Sequence, residues 1–180
     1  MAFKIPQNEA KKEALRALAL DLAKNSANRE PVKMGLALLG ISGKKEDLQI
    51  LRTLGKHDEF TLFAAGSAAG LLKGKEKNTF LTELAEEVEG WGKLAILYEL
   101  DYSDEKARLW AVKKGCRNTV GYSYAANVCA TKGNMADILA KLKAGEYAET
   151  EAGEIFRGVC DIFTGLLNPD ENQDGIKEYG

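Results

Sequence analysis

The stretch DEFTLFAAGSAAGLLKG, running from Asp58 to Gly74, decides the fold. Phe60, Leu62, Phe63, Ala64, Ala65, Ala68, Ala69, Leu71 and Leu72 leave almost no polar stripe, and a helix apolar on nearly every side is an inner helix. The expectation is a helix covered from both sides. Between Ala64 and Gly70 the side chains are all small, so a neighbouring backbone can come close. Gly66 and Gly70 each cost about 1 kcal/mol of helix propensity relative to Ala. That loss makes sense where neighbouring helices crowd in.

Outward from this stretch the chain reads as further helices. Before it come a segment opening at Asn8 as N-cap, with Leu15, Leu18 and Leu22 on one stripe, then one with Pro31 in its first turn, then Lys45 to Leu54. After it come helices beginning near Asn78 and passing through Leu94 to Leu100. Ser103 is then the expected cap of a helix reaching Gly115, followed by Thr119 to Thr131, Asn134 to Leu142 with Asp137 completing a short capping box, and Ala148 to Leu167. Gly43, Gly55, Gly74, Gly90, Gly115, Gly133 and Gly145 each follow an apolar-periodic segment and read as left-handed C-caps. With only three prolines in the chain, the interior lacks the commonest helix breaker.

The same pattern recurs at long range. Leu51/Leu54 returns as Leu81/Leu84, Leu109/Val112 and Leu139/Leu142, while Ala65, Ala95, Ala125 and Ile155 stand 30 apart. Cys129 and Cys160 follow nearly the same step and read as equivalent core positions. A two-helix unit repeated every 30 residues buries its apolar face by stacking on the next. On these residues the chain, from about Asn8 to Leu167, resembles the HEAT-like and armadillo-like α-solenoids, nearer their short units. The resemblance implies an all-α, right-handed α-α superhelix of about five helical hairpins, a single domain over residues 1–168 with a polar tail over 169–180, and a concave binding surface made by the second helices. The tetratricopeptide pattern fits less well, since its aromatic and proline anchors are missing.

Composition narrows function without naming it. In 180 residues, 25 Lys and Arg stand against 27 Asp and Glu, a formal charge of −2, so no overall field draws in nucleic acid or an anionic membrane. The N-terminus lacks an apolar signal region, and the apolar run at 60–72 is too short to span a bilayer. Cys116, Cys129 and Cys160 form an odd set without a CxxC pair, which reads as reduced, buried thiols in a cytoplasmic protein rather than a disulfide frame or zinc site. His57 is the only histidine and falls in an expected interhelical turn, so no multi-histidine metal site can be assembled. No catalytic or metal-binding residue and no cofactor is nominated. Asp170 to Gly175 matches the first half of a calcium loop and then departs from it. Opposite ends differ in charge, basic around the first helix and acidic beyond Glu146.

The aromatic residues cluster in the central third. Trp91, Tyr102, Arg108 and Trp110 are the candidate anchors for a protein or peptide partner, being the residue types that dominate interface energetics. An alternative comes from the alkylpurine DNA glycosylases, HEAT-like proteins of similar size that hold a damaged nucleotide with tryptophans, an Asp and an Arg. That resemblance would nominate Trp110, Asp104 and Arg108. The absence of net positive charge weighs against it, because phosphate contacts dominate nucleic-acid affinity.

Overall fold

The structure, a computed structural model, describes residues 8–170 together with Gln173, Gly175 and Ile176. Among the described residues all regular structure is helical, in ten helices α1 to α10. The chain divides into two compact units, Met1–Val88 and Glu89–Gly180.

The first unit holds α1 (Glu9–Asn25), α2 (Arg29–Ser42), α3 (Leu48–Gly55), α4 (Asp58–Leu71) and α5 (Gly74–Ala85). Asn8 caps α1, its side chain accepting from the Ala10 amide at 2.9 Å. His57 does more than fill a turn: its Nδ1 accepts from the Glu59 amide at 3.3 Å and caps α4. Ala64, Ala65 and Ala68 of α4 are completely buried, and the small residues bring two backbones together where α2 crosses α4. A Cβ on Gly70 would stand 2.5 Å from the Gly40 carbonyl oxygen, and one on Gly40 would stand 2.9 Å from the Ser67 Cα. The Ser67 hydroxyl, buried in this crossing, donates to the Leu36 carbonyl at 2.7 Å. On the other side Thr61 donates to the Gly55 carbonyl at 2.8 Å, tying α4 to the end of α3.

One part of the expectation for α4 fails. Leu62 and Gly66 are exposed, and nothing lies within 4 Å of a Cβ built on Gly66. Neighbouring helices cover α4 through Thr61, Ala64, Ala65, Ser67 and Ala68, leaving open the stripe of Leu62, Gly66 and Gly70; the small size of Gly hid that stripe from a reading based on polarity.

Several polar contacts in this unit share nearly the same separation along the chain. Arg16 reaches Asp47, Lys45 reaches Glu76, Arg52 reaches Glu83 and Ser67 reaches Leu36, each across 31 positions. Arg29 reaches Glu59 across 30. The exposed pairs Lys45–Glu76, Arg52–Glu83 and Arg29–Glu59 add little stability, whereas Asp47 and Ser67 are buried at their contacts.

The second unit holds α6 (Gly90–Glu99), α7 (Glu105–Trp110), α8 (Ser123–Thr131), α9 (Met135–Lys143) and α10 (Glu149–Leu167). Here the step loosens: Asn118 to Gly90 spans 28 residues, Lys141 to Glu105 spans 36, Lys113 to Glu151 spans 38 and Arg117 to Asp161 spans 44. The helix α7 runs on into a π turn, Ala111–Gly115, a wider winding that pushes backbone out of the helix line. The α10 helix lies against it. A Cβ on Gly158 would fall 2.0 Å from the Val112 carbonyl oxygen and 2.7 Å from that of Lys113, and one on Gly165 would fall 2.7 Å from the Tyr122 carbonyl oxygen.

Several local expectations need correction. Asp104, not Ser103, caps α7, accepting from the Lys106 amide at 3.2 Å, while the Ser103 hydroxyl turns back to Asp101. The α8 helix starts at Ser123 rather than Thr119 because Asn118 ties the preceding loop to the Gly90 carbonyl. Asn134 precedes α9 in a left-handed conformation without a side-chain cap, and Asp137 pairs with Lys141 instead of closing a box. Of the seven glycines read as left-handed caps, only Gly145 ends its helix that way; Gly74 and Gly90 have positive φ but open α5 and α6. Gly55 and Gly115 are there for space, with Ala64 and Leu97 side chains 2.8 Å from where their Cβ atoms would lie. Cys160 is exposed, not a core equivalent of buried Cys129. One residue is about 100° around a helix, so a 31-residue step misses the core that Val159, 30 residues on, enters.

Candidate partner-binding surface

The four nominated residues separate into different roles. The Tyr102 hydroxyl donates to the Leu97 carbonyl at 2.8 Å, and the Arg108 guanidinium donates to the Tyr102 carbonyl at 3.0 Å. Together they clamp the link between α6 and α7. Burial drives the Tyr102 hydroxyl far above its ordinary ionisation range, so it remains a neutral donor. Trp110, at the end of α7, is half-buried. Trp91 alone of the four is open to solvent, 59% exposed in the first turn of α6.

Trp91 is not isolated. Its ring meets that of Tyr124, the second residue of α8, edge to face with centroids 5.1 Å apart, a favoured aromatic geometry. Two turns further along α6, on the same face, Tyr98 is 58% exposed, and the Lys132 ammonium just beyond α8 lies 5.7 Å from its ring centroid. The pairs Trp91 with Tyr124 and Tyr98 with Lys132 join start to start and end to end, so α6 and α8 run parallel with an aromatic strip along their seam. Tyr98, Tyr124 and Lys132 were not nominated from sequence. The i, i+7 spacing of Trp91 and Tyr98 was the available signal, but the pairing of α6 with α8 was not visible there.

The remaining chemistry is structural. Burial pushes the Cys116 thiol up to about 12 and raises Cys129 as well, so neither supplies a thiolate near neutrality. Asp47 has its carboxyl held below the usual range, chiefly by the Arg16 guanidinium bonded to it at 2.7 Å. A shallow depression beside α3 and α5 has an apolar floor of Leu48, Leu72 and Phe80, and the Lys45–Glu76 ion pair is on its wall. Among the described residues no group of three His, Cys, Asp or Glu side chains is placed to hold a metal ion. Three residues of the calcium-loop match, Glu171, Asn172 and Asp174, lie outside the described residues; its first, Asp170, accepts a hydrogen bond from Ser123 at 2.7 Å. No described helix is long and apolar enough to cross a membrane.

No protein-family model, curated protein or solved structure matches this chain.

Proposed function

We propose that this is a non-catalytic protein- or peptide-binding module of short HEAT-like helical hairpins, which takes its partner on the aromatic strip of α6 and α8. The observation that carries the reading is Trp91, held open at its edge-to-face contact with Tyr124 while Tyr98 extends the strip. Trp and Tyr supply large, stiff contact area at low entropic cost, which is why they dominate binding hot spots. Both of the large hydrophobics left exposed on α6, Trp91 and Tyr98, lie on this strip. Three unpaired cysteines fit a reducing, cytoplasmic setting.

The glycosylase-like alternative would need Asp104, Arg108 and Trp110 at a groove. Asp104 caps α7, Arg108 holds the Tyr102 carbonyl, and neither use leaves the group aimed at a ligand.

Selection from a displayed peptide library, followed by affinity measurement, tests the proposal. Trp91→Ala and Tyr98→Ala should each weaken binding at least tenfold with the circular dichroism unchanged. Selected peptides that bind these variants as well as the parent would refute it, as would DNA binding that falls steeply with salt and survives both changes.

A further inference from the structure

The depression beside α3 and α5 encloses about 410 Å³, within the range of roughly 300–1,000 Å³ usual for small-molecule sites. Its floor is apolar: Leu72 and Phe80 are buried and Leu48 is half-buried. Charge is distributed unevenly around that floor. On the wall Glu76 accepts from Lys45 at 2.7 Å and Glu83 accepts from Arg52 at 2.6 Å, so each acid already has its cation. Lys75 has no such partner. Among the described residues its ammonium makes no ion pair or hydrogen bond, and the Thr79 hydroxyl, one turn on along the same face of α5, is equally free. The two ion pairs lie in step, Lys45 to Arg52 on one side and Glu76 to Glu83 on the other, so α3 and α5 run parallel. Both helices therefore bring their N-terminal ends to the Lys75 end of the depression, where their dipoles add positive potential.

We propose that this depression binds a medium-chain aliphatic carboxylate, its head between Lys75 and Thr79 and its chain laid over Leu72, Phe80 and Leu48. The acids of the wall are neutralised where they stand, which leaves Lys75 as the uncompensated charge of the rim, and that charge calls for an anion. Two free donors one turn apart match the two oxygens of a carboxylate. The lining of α5 from Lys75 to Glu83 extends about 12 Å, the length of an extended chain of roughly ten carbons. A methylene fully removed from water is worth a factor of about four in affinity, and one half-covered in an open depression a factor of about two. The chain thus supplies most of the affinity, while the exposed ammonium adds a smaller share and fixes which end of the ligand lies where.

Titration of the full chain with decanoate, kept below its micelle concentration and followed by backbone amide shifts in NMR, should saturate a single site with the shifts confined to α3, α5 and the turns that precede them. From hexanoate to decanoate the affinity should rise about sixteenfold, a factor of about two for each added methylene. Lys75→Glu changes a side chain open to solvent and should leave the circular dichroism unchanged while weakening decanoate roughly fivefold or more. Lys75→Arg should bind as the parent does. Decanol, with the same chain and no charge, should bind the parent and Lys75→Glu alike. Trp91→Ala should leave decanoate affinity unchanged, because the aromatic strip takes no part. Decanoate that fails to saturate, shifts centred elsewhere, an affinity indifferent to Lys75→Glu, or one lost in Trp91→Ala would overturn the proposal.

Discussion

Gly66 and Gly70 stand one helical turn apart in α4, and replacing each with Ala should move stability in opposite directions. At Gly66 the added methyl meets nothing within 4 Å, so only the helix preference acts, worth up to about 1 kcal/mol in favour of the variant. At Gly70 the same methyl arrives 2.5 Å from the Gly40 carbonyl oxygen, with the Gly40 carbonyl carbon at 3.3 Å. An ordinary contact needs roughly 3.4 Å or more, so the α2 and α4 backbones must part by most of an ångström. Overpacking of this kind costs about 1–3 kcal/mol, and the obstacle is backbone rather than a side chain able to swing away, which favours the upper half of that range. Less the helix gain, Gly70→Ala should lose about 1–2 kcal/mol. The two variants should differ by about 2–3 kcal/mol, or roughly 1 M in urea midpoint at a slope typical of small proteins. Urea titration followed by circular dichroism reads this directly. Equal midpoints, or a Gly70→Ala variant as stable as the parent, would refute the claim that α2 and α4 meet through glycine.

In the second unit Gly158→Ala should destabilise by about 3 kcal/mol, because its Cβ would sit 2.0 Å from the Val112 oxygen; a neutral result in denaturant titration would refute the close approach of α10 to the π turn. Asp47→Asn should cost about 1.5–3 kcal/mol at neutral pH by losing charge-assisted bonds from Arg16. The folded Asp47 carboxyl ionises below its unfolded range, so its contribution is complete above about pH 4 and disappears as pH falls through the folded value. Stability curves of parent and variant should converge in acid, and a constant gap down to that range would contradict the pairing. Maleimide at neutral pH should modify one thiol per folded chain, Cys160, leaving Cys116 and Cys129 until unfolding; mass spectrometry showing rapid modification of all three would refute their burial.

Much of the helical pattern was legible because apolar periodicity depends on local geometry. Asn8 reads as a cap and is one. What escaped notice depends on contacts that sequence does not display. Glycine serves a left-handed turn and a close approach equally well, so Gly145 and Gly55 looked alike although one has positive φ and the other faces the Ala64 methyl. Ser103 and Asp104 are both good caps, and only the path of the preceding turn chooses between them. The aromatic strip was half visible: Trp91 stood out by residue type, whereas Tyr124 and Lys132 join it through the parallel alignment of α6 and α8. Tyr102 and Arg108 drew attention for the same chemical reasons as Trp91, but their polar groups bond to backbone carbonyls of the link they clamp.

The contact between Gly158 and the π turn restricts how this chain can change over evolutionary time. The obstructing atom is Cβ, which all nineteen alternatives share, so no conservative replacement can act as a stepping stone. Relief would have to come from Ala111–Gly115, where rewinding the turn would withdraw the Val112 oxygen. A lineage that loses the wide turn should therefore be free to lose the bare α-carbon opposite it, and one that keeps the turn should keep the glycine.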